Sequence, residues 1–419
     1  MATPQVSEGV GYARYTYRLR VSSTARTALL AEWDRCRWIW NECVAKSRAV
    51  HAHNRAHPDD KLTCGPAQLD TMLTEARAKL PWLREGASVP QQQIIRDFAK
   101  SRSKALKDIG KRLPMRQRAG MPRPKKKREA LPTLNYTTRG FRLKDGRLHL
   151  ACGIELTVVW SRELPSAPSS VRVYRDSIGH WYASFVVATE VQPLPETGRV
   201  LGVDWGVKET ATTSDTHDLP HPQHGRKAQA KLSRYDRTVA RRKPKKGQAS
   251  SKGHREAKKS RAKVYAKIAR QRQDTARNGV SPARAEPRAW GRAKKVVRGH
   301  DAIAVEDFRP KFLAKTSMAR KAADAAIGAT KTALVEMGRK HGRDVRLVHP
   351  AHTTMDCASC GARTKHALPL SERTYTCTAC GAVSPRDKNS ARVMLVRAGL
   401  NPAGDEGVRP PGALLPEAA

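Results

Sequence analysis

Between Tyr12 and Val21, aromatic or aliphatic residues alternate with basic ones, the two-residue period of a half-exposed strand. Ser22, Ser23 and Thr24 then offer an N-cap. Behind it Leu29, Leu30, Trp33, Trp38, Trp40 and Cys43 recur near helical spacing, a stripe that reads as core rather than as a base-stacking platform. Two more helices are predicted, from Pro66 to about Leu80 and from Val89 to Ile109. The second has Ile94, Ile95, Phe98 and Leu106 on one side and basic residues on the other. From Arg112 to Arg128 periodicity gives way to Pro, Gly and clustered Lys/Arg, a solvated connector.

The two-residue period returns after Leu131, in Phe141–Lys144, Arg147–Leu150, Ile154–Trp160, Val171–Tyr174 and Trp181–Ala188. Asp145-Gly146 and Ser177–Gly179 supply turns between them. Short strands this close together predict a small sheet or barrel. The strand at Tyr12–Val21 is expected to join it, which makes the helices of 23–118 an insertion.

Beyond residue 196 the pattern changes. Val200, Leu201 and Val203 lead into a lone carboxylate, Asp204, and after Trp205 and Gly206 a second β-rich run covers Glu209–Thr213. These read as two strands of a hairpin. Arg226–Arg261 holds fifteen Lys/Arg against two acids, Asp236 and Glu256, and is expected to form two helices around a Lys/Pro/Gly/Ser loop. Ala302–Phe308 is a second apolar strand ending in acids, Glu306 and Asp307. A helix over roughly Ser317–Lys340 and a strand at Asp344–Val348 follow, and Asp387 opens a last helix.

Charge changes the picture most. The 419 residues carry 80 Lys+Arg against 38 Asp+Glu, a formal net charge of +42. Self-repulsion of that size works against folding, so an extended polyanionic partner is implied. A membrane surface fits less well: no apolar run approaches the ~18 residues of a spanning helix, and no signal peptide opens the chain. A cytoplasmic protein is expected. Candidate phosphate contacts are Lys125, Lys126, Lys127 and Arg128 in the connector, with Arg241, Arg242, Lys243, Lys245 and Lys246 in the basic helical segment.

Of eight cysteines, Cys36, Cys43, Cys64 and Cys152 are scattered and read as ordinary buried thiols. The other four, Cys357, Cys360, Cys377 and Cys380, form two Cys-x-x-Cys-Gly knuckles with sixteen residues between Cys360 and Cys377. Two such knuckles hold one tetrahedral Zn²⁺, and four thiolates close the site, so this zinc is structural. His349, His352 and His366 lie nearby as bystanders.

Three separated elements each present an acid: Asp204, Glu306 and Asp387. Hard oxygen ligands meeting in one cleft suit a pair of Mg²⁺ ions, which at about 4 Å apart activate water and stabilise the leaving oxygen in phosphodiester hydrolysis. Spacing alone leaves open whether the three meet, since acids at strand ends often pair with surface lysines.

Residues 12–402 resemble TnpB, the RNA-guided nuclease of bacterial insertion sequences, and the compact type V CRISPR effectors related to it. The resemblance rests on Gly202-Val-Asp204-Trp-Gly206 with Thr210-Ala-Thr212, on Val305-Glu306-Asp307, and on Arg386-Asp387-x-Asn389-x-Ala391. In the N-terminal half Pro81-Trp82-Leu83, Gln91–Gln93 and Tyr182–Phe185 also match. It implies a multidomain α/β protein, in which an RNase H-like (RuvC) nuclease domain (197–351 and 385–402) carries an inserted zinc ribbon (352–384) that helps position the target strand. An N-terminal wedge-like β-barrel (1–22 and 119–196) would carry the helical recognition domain (23–118), and 403–419 would form a disordered tail.

Asp204, Glu306 and Asp387 would be the catalytic, Mg²⁺-binding acids. The implied partners are a guide RNA and double- and single-stranded DNA, and the implied activity is Mg²⁺-dependent, RNA-guided DNA cleavage in one RuvC site. Pro385 departs from the family pattern, where an aspartate is common, and Gln273–His300 is richer in Pro, Gly and Arg than the family's helix there. The alternative is an RNA-guided DNA-binding regulator with little or no cleavage; a transposase joining DNA ends lacks any marked nucleophilic Tyr or end-recognition helix-turn-helix.

Overall fold

The computed structural model describes residues 10–400, apart from 116, 128, 207–208, 216–217, 246, 279–291, 309–312, 314–315, 365, 367 and 370. Arg128, Lys246, the expected tail at 403–419 and most of Gln273–His300's Pro- and Arg-rich part therefore lie outside the described residues. The chain divides into two compact units, one of residues 12–189 and one of residues 190–419 with 1–11.

The first unit opens with β1 (Val10–Arg20), then α1 (Ser23–Ala56), α2 (Pro66–Lys79), the single turn α3 (Pro81–Arg84) and α4 (Ser88–Gly110). The Ser22 side chain accepts the Ala25 N–H and caps α1 as the sequence predicts. β2 (Thr133–Thr137), β3 (Phe141–Lys144), β4 (Arg147–Leu150), β5 (Ile154–Val159), β6 (Pro168–Arg175) and β7 (Trp181–Glu190) complete it.

The seven strands form one sheet in the order β2-β6-β7-β1-β5-β4-β3, so β1 does sit among the later strands. β2 and β3 lie at opposite ends of that order, yet only a 3₁₀ turn, Thr138–Gly140, joins them. The sheet must therefore roll until its ends approach, although no ladder between β2 and β3 is found among the described residues. It is a near-barrel with a seam rather than a closed ring. Its inward residues, Leu134, Tyr136, Val171, Val173, Ala183, Phe185 and Val187 among them, share one core with Leu29, Trp33, Trp40 and Phe98 of the helices.

A buried polar network supports the α3 turn. Arg77 donates to Leu83 C=O and to Gln91 Oε1, Gln91 donates to Leu83 C=O, and Glu32 accepts from the Ala87 N–H. Gln91 is fully buried, so this part of the N-terminal resemblance is a brace on which Trp82 is displayed at the surface. Cys36, Cys43 and Cys64 are buried as expected, but Cys152 is exposed, on a left-handed turn at φ 63 between β4 and β5.

The second unit contains β8 (Val200–Trp205), β9 (Ala211–Thr213), α5 (His224–Lys227), α6 (Gln229–Arg241), α7 (Lys252–Asn278) and α8 (Arg292–Gly299). β10 (Ala302–Glu306), α9 (Ala319–Ala325), α10 (Ile327–Lys340), β11 (Asp344–Val348), β12 (Thr374–Thr376), β13 (Val383–Pro385) and α11 (Arg386–Arg397) follow. Its main sheet runs β11-β10-β8-β9, with β10 parallel to both β8 and β11, and β9 closing the predicted hairpin antiparallel to β8.

The expected continuous helix over 317–340 is in fact two. Ala326 adopts a left-handed conformation (φ 55, ψ 30) between α9 and α10. The break lies beside buried Asp324, which accepts the backbone N–H groups of Gly225 and Arg226 and pairs with Arg272 at 2.8 Å. Three partners on α5 and α7 fix that carboxylate, and the chain reorients around it. Among the described residues no helix is long and apolar enough to cross a membrane.

Candidate active site and metal centre

Strand alternation decides where the acids point. On β8, Leu201, Val203 and Trp205 enter one apolar cluster with Ile303 and Val305 of β10. Gly202 and Asp204 therefore face the other side, as do Ala304 and Glu306. That side is covered by α11, whose Met394 and Leu395 pack with Ala304. The parallel register sets Val203 beside Val305, which places Asp204 next to Glu306 at the strand ends. Asp387 sits in the first turn of α11, half exposed. Asp204 and Glu306 thus lie side by side, and Asp387 on α11 is near enough for its charge to act on Asp204, although the three carboxylates are not drawn together as tightly as the four thiols described below.

Close approach of α11 depends on a glycine. A Cβ at Gly202 would lie 1.9 Å from the Ala391 carbonyl oxygen, a backbone atom that cannot swing away. Gly202 also exchanges hydrogen bonds with Ser214, at 2.9 Å each way. Gly202 and Ala391 both belong to the motifs on which the resemblance rests, and their reason is contact between strand and helix.

Trp205 secures Glu306 from both ends: its indole N–H donates to the Glu306 carbonyl at 2.8 Å and its backbone N–H to the carboxylate at 3.3 Å. Burial, then the nearby charges of Glu306 and Asp387, push the Asp204 carboxyl well above the usual carboxylate range, with Arg386 acting the other way. Burial also raises Glu306, against the hydrogen bonds from Trp205 and Asp204. Placed side by side and buried, the two carboxyls take up protons as a pair rather than one by one. Beyond them, Lys331 pairs with Asp307 at 2.7 Å, and Lys388 donates to Asp218 at 2.7 Å and to the Thr213 and Asp215 carbonyls.

The cysteines form the second donor cluster. The four Sγ atoms of Cys357, Cys360, Cys377 and Cys380 lie within 4.8 Å of one another, and no other such group occurs among the described residues. The two knuckles are built alike. Cys357 N–H bonds Ala362 C=O and Gly361 N–H bonds Cys357 C=O, while Cys377 with Ala382 and Gly381 with Cys377 repeat the pattern at 2.8–3.0 Å. Gly361 and Gly381 hold φ values of +75 and +72, which a side chain would strain. Burial raises the Cys377 thiol, but backbone N–H groups of Cys380 and Ala379 outweigh it and bring it down to about 7. Tyr375 lies at the centre of the small apolar core behind the thiols.

Residues 184–281 match the OrfB_IS605 family, described as "Probable transposase", and residues 328–394 match the Cas12f1-like TNB domain. The second match contains both knuckles and the start of α11; the first contains Asp204. The chain resembles TnpB-type proteins and the compact type V effectors. It is 29% identical over 371 residues to a "Putative RNA-guided DNA endonuclease" of Streptomyces pristinaespiralis, covering 87% of this chain and 85% of that one. To "Putative RNA-guided DNA endonuclease InsQ" of Escherichia coli K12 it is 27% identical over 380 residues, 86% of each chain. Among solved structures, the Cas12f1 protein of a Cas12f1–sgRNA–target DNA complex shares the fold, with a TM-score of 0.53 at 11% identity over 92% of this chain and 98% of that chain.

The candidate phosphate contacts of this TnpB-like chain are not equivalent. Lys125 is turned inward, its Nζ 4.0 Å from the Trp40 ring centroid, and burial lowers its pKa. The backbone around it is held too, since Trp40 donates to Arg123 C=O and Asn41 brackets Lys125 with hydrogen bonds to its N–H and C=O. Lys126 pairs with Glu129 and Lys127 with Asp34 at the surface. Arg241, Arg242, Lys243 and Lys245 are exposed at the end of α6 and in the loop beyond. Sequence reasoning missed Gly202, Lys388 and Asn389 as site-building residues, although all three stand inside the quoted motifs or beside their acids.

Proposed function

We propose that the chain is an RNA-guided DNA endonuclease whose second unit is an RNase H-like, RuvC-type nuclease domain with the ribbon inserted between β11 and α11. The observation that carries this reading is the adjacency of Asp204 and Glu306 on the face of the sheet that α11 covers, with Asp387 in the first turn of that helix. The donor set is all carboxylate oxygen, and burial beside Glu306 and Asp387 makes ionising Asp204 costly. Divalent cations fit that need, because they neutralise the same excess of negative charge, and Mg²⁺ is the hard cation such oxygens select. Bound there, two such ions would supply an activated water and charge stabilisation at the leaving oxygen of a phosphodiester.

The protein's own part is to hold the ligands. Trp205 fixes Glu306, Gly202 lets α11 settle on β8, and Lys388 ties the first turn of α11 to the segment after β9. The four cysteines are a closed soft-donor site, the chemistry of one structural Zn²⁺. Guide RNA and an RNA–DNA heteroduplex would be held through phosphates by the +42 excess, leaving sequence choice to base pairing. The exposure of Arg241, Arg242, Lys243 and Lys245, set against Lys125 half-buried on Trp40 and Lys126 and Lys127 paired with acids, favours the α6–α7 segment as the phosphate-binding stretch.

The test is reconstitution. Protein copurified with its RNA is given a matching double-stranded DNA with Mg²⁺, then with EDTA. Cuts are expected only with Mg²⁺ and only with the paired sequence; target binding without cuts would establish the regulator alternative instead. The copurified RNA, sequenced, distinguishes a transposon-end transcript from a repeat–spacer RNA.

A further inference from the structure

We propose that Asn389 is a positioning residue that couples the metal-filled cysteine knuckle to the place of Asp387, so that zinc and the acid-bound cations stabilise each other. The inference rests on the reading of the three acids given above.

Asn389 lies two residues after Asp387 on α11 and is 3% exposed. Its Oδ1 accepts the Ala358 N–H at 3.0 Å and its Nδ2 donates to the Asp356 carbonyl at 2.7 Å. Those two backbone groups flank Cys357, the first thiol of the ribbon. A single amide therefore bridges the knuckle across its ligand residue, satisfying one buried donor and one buried acceptor that have no alternative inside the helix.

The residue before Asp387 is held the same way. Arg386 donates from Nη1 to the Pro369 and Glu372 carbonyls, and its backbone N–H bonds Arg373 C=O at 2.8 Å. Pro385, the N-cap of α11, supplies no side-chain cap. Beside the Lys388 tie to the segment after β9, the first turn of this helix is thus held by the ribbon at Arg386 and Asn389, and Asp387 is carried between those two attachments.

The ribbon can serve as that support only while its own backbone is fixed. Four thiols lie within 4.8 Å, and ionising them without a metal sets like charges against one another. Zinc removes the repulsion and fixes the knuckle, and with it the Asp356 carbonyl and Ala358 amide that Asn389 grips. Such linkage is reciprocal: whatever zinc does for cation binding at the acids, cation binding must do for zinc retention.

That reciprocity gives a readout independent of DNA cleavage. The full-length protein is titrated to equilibrium against a chromogenic zinc chelator, and its zinc affinity is measured with and without Mg²⁺. In the wild type Mg²⁺ is expected to tighten zinc binding by about 5-fold or more, the lower range of ordinary coupling. Asp204→Ala, which cannot hold Mg²⁺, and Asn389→Ala, which lacks the bridge, should both bring the two affinities together. If Asn389→Ala does not fold, Asn389→Asp keeps the acceptor for Ala358 and should retain part of the effect.

Thermal shift with Mg²⁺ separates the possible failures. A Mg²⁺ shift that Asp204→Ala abolishes, beside zinc affinity indifferent to Mg²⁺, overturns the coupling and leaves the acid site standing. No Mg²⁺ shift at all overturns the acid site and the coupling with it. An undiminished Mg²⁺ effect on zinc affinity in Asn389→Ala removes Asn389 from the role.

Discussion

The cysteine and carboxylate clusters gather donors in opposite ways. Each cysteine pair is local: a knuckle of a few residues, a left-handed glycine and repeated backbone hydrogen bonds build it, and two copies meet. The acids come from β8, β10 and α11, more than a hundred residues apart at the widest, and no short segment places any two together. The thiols lie close enough for one metal to close them, whereas Asp204 and Glu306 lie side by side at a partly open face with Asp387 half exposed on the covering helix. A closed soft site can only support structure. An open hard site at the edge of a sheet can admit a phosphodiester.

That contrast is put to its hardest test by removing one donor from each cluster. Asp204→Ala should lower single-turnover cleavage by ~10³-fold or more, several kcal/mol of transition-state stabilisation, while RNA binding and Tm stay near wild type. Normal cutting by this variant would end the catalytic assignment. Cys357→Ser should do the reverse in kind: zinc content and Tm fall together, and activity follows them down. Unchanged zinc by metal analysis would remove the cysteines from metal binding altogether.

Gly202→Ala touches neither donor set. Overpacking against the Ala391 carbonyl should cost about 1–3 kcal/mol, seen as a lower Tm, and cleavage should drop because Asp387 moves with α11. A stable, fully active Gly202→Ala protein would show that the acid site tolerates displacement of its helix.

The smallest expected effect is in pH. Asp204 is raised in the fold, chiefly by burial, so between its unfolded value near 4 and its higher folded value the native state holds a proton that the unfolded chain has lost. Through that window its contribution to stability falls as pH rises. Metal-free Asp204→Asn should therefore melt slightly higher than wild type at neutral pH and show a flatter slope. Asp324, held low against burial by Arg272 and two backbone N–H groups, works in the other direction. Its contribution is present above its unfolded value and fades as pH falls through the folded one, and Asp324→Asn should remove that acid-side loss.

Much of this was legible in the chain. Periodicity located β1, the helices of 23–110 and the strands from Phe141 onward, because each buries one face more than the other, whereas the β8–β9 hairpin, buried on both faces, showed as apolar and β-rich runs broken at Gly206. The knuckles were readable since their geometry is set within a few residues. The three acids could be named from motif resemblance, but their meeting could not be derived from spacing; it follows from a parallel register and from strand parity, which local sequence does not display. The break at Ala326 was hidden for a similar reason, since the partners of Asp324 are contributed by α5 and α7. Nor did the charge of Lys125 disclose that Trp40 shelters it; a clustered lysine reads as solvated until its neighbour in space is known.

The order of the seven-stranded sheet has a mechanical consequence for the helices it bears. The helical segment leaves the chain at the end of β1 and returns at the start of β2, and in the sheet these strands are separated by β7 and β6. Its two stems are thus rooted three strand spacings apart, roughly 14 Å along the sheet. A segment rooted at one point can pivot; one rooted at two, with its core continuous with the sheet beneath, behaves as a girder. Any force that a bound duplex applied to α1 or α4 would be borne by the sheet as torsion and would not be lost in a swinging arm.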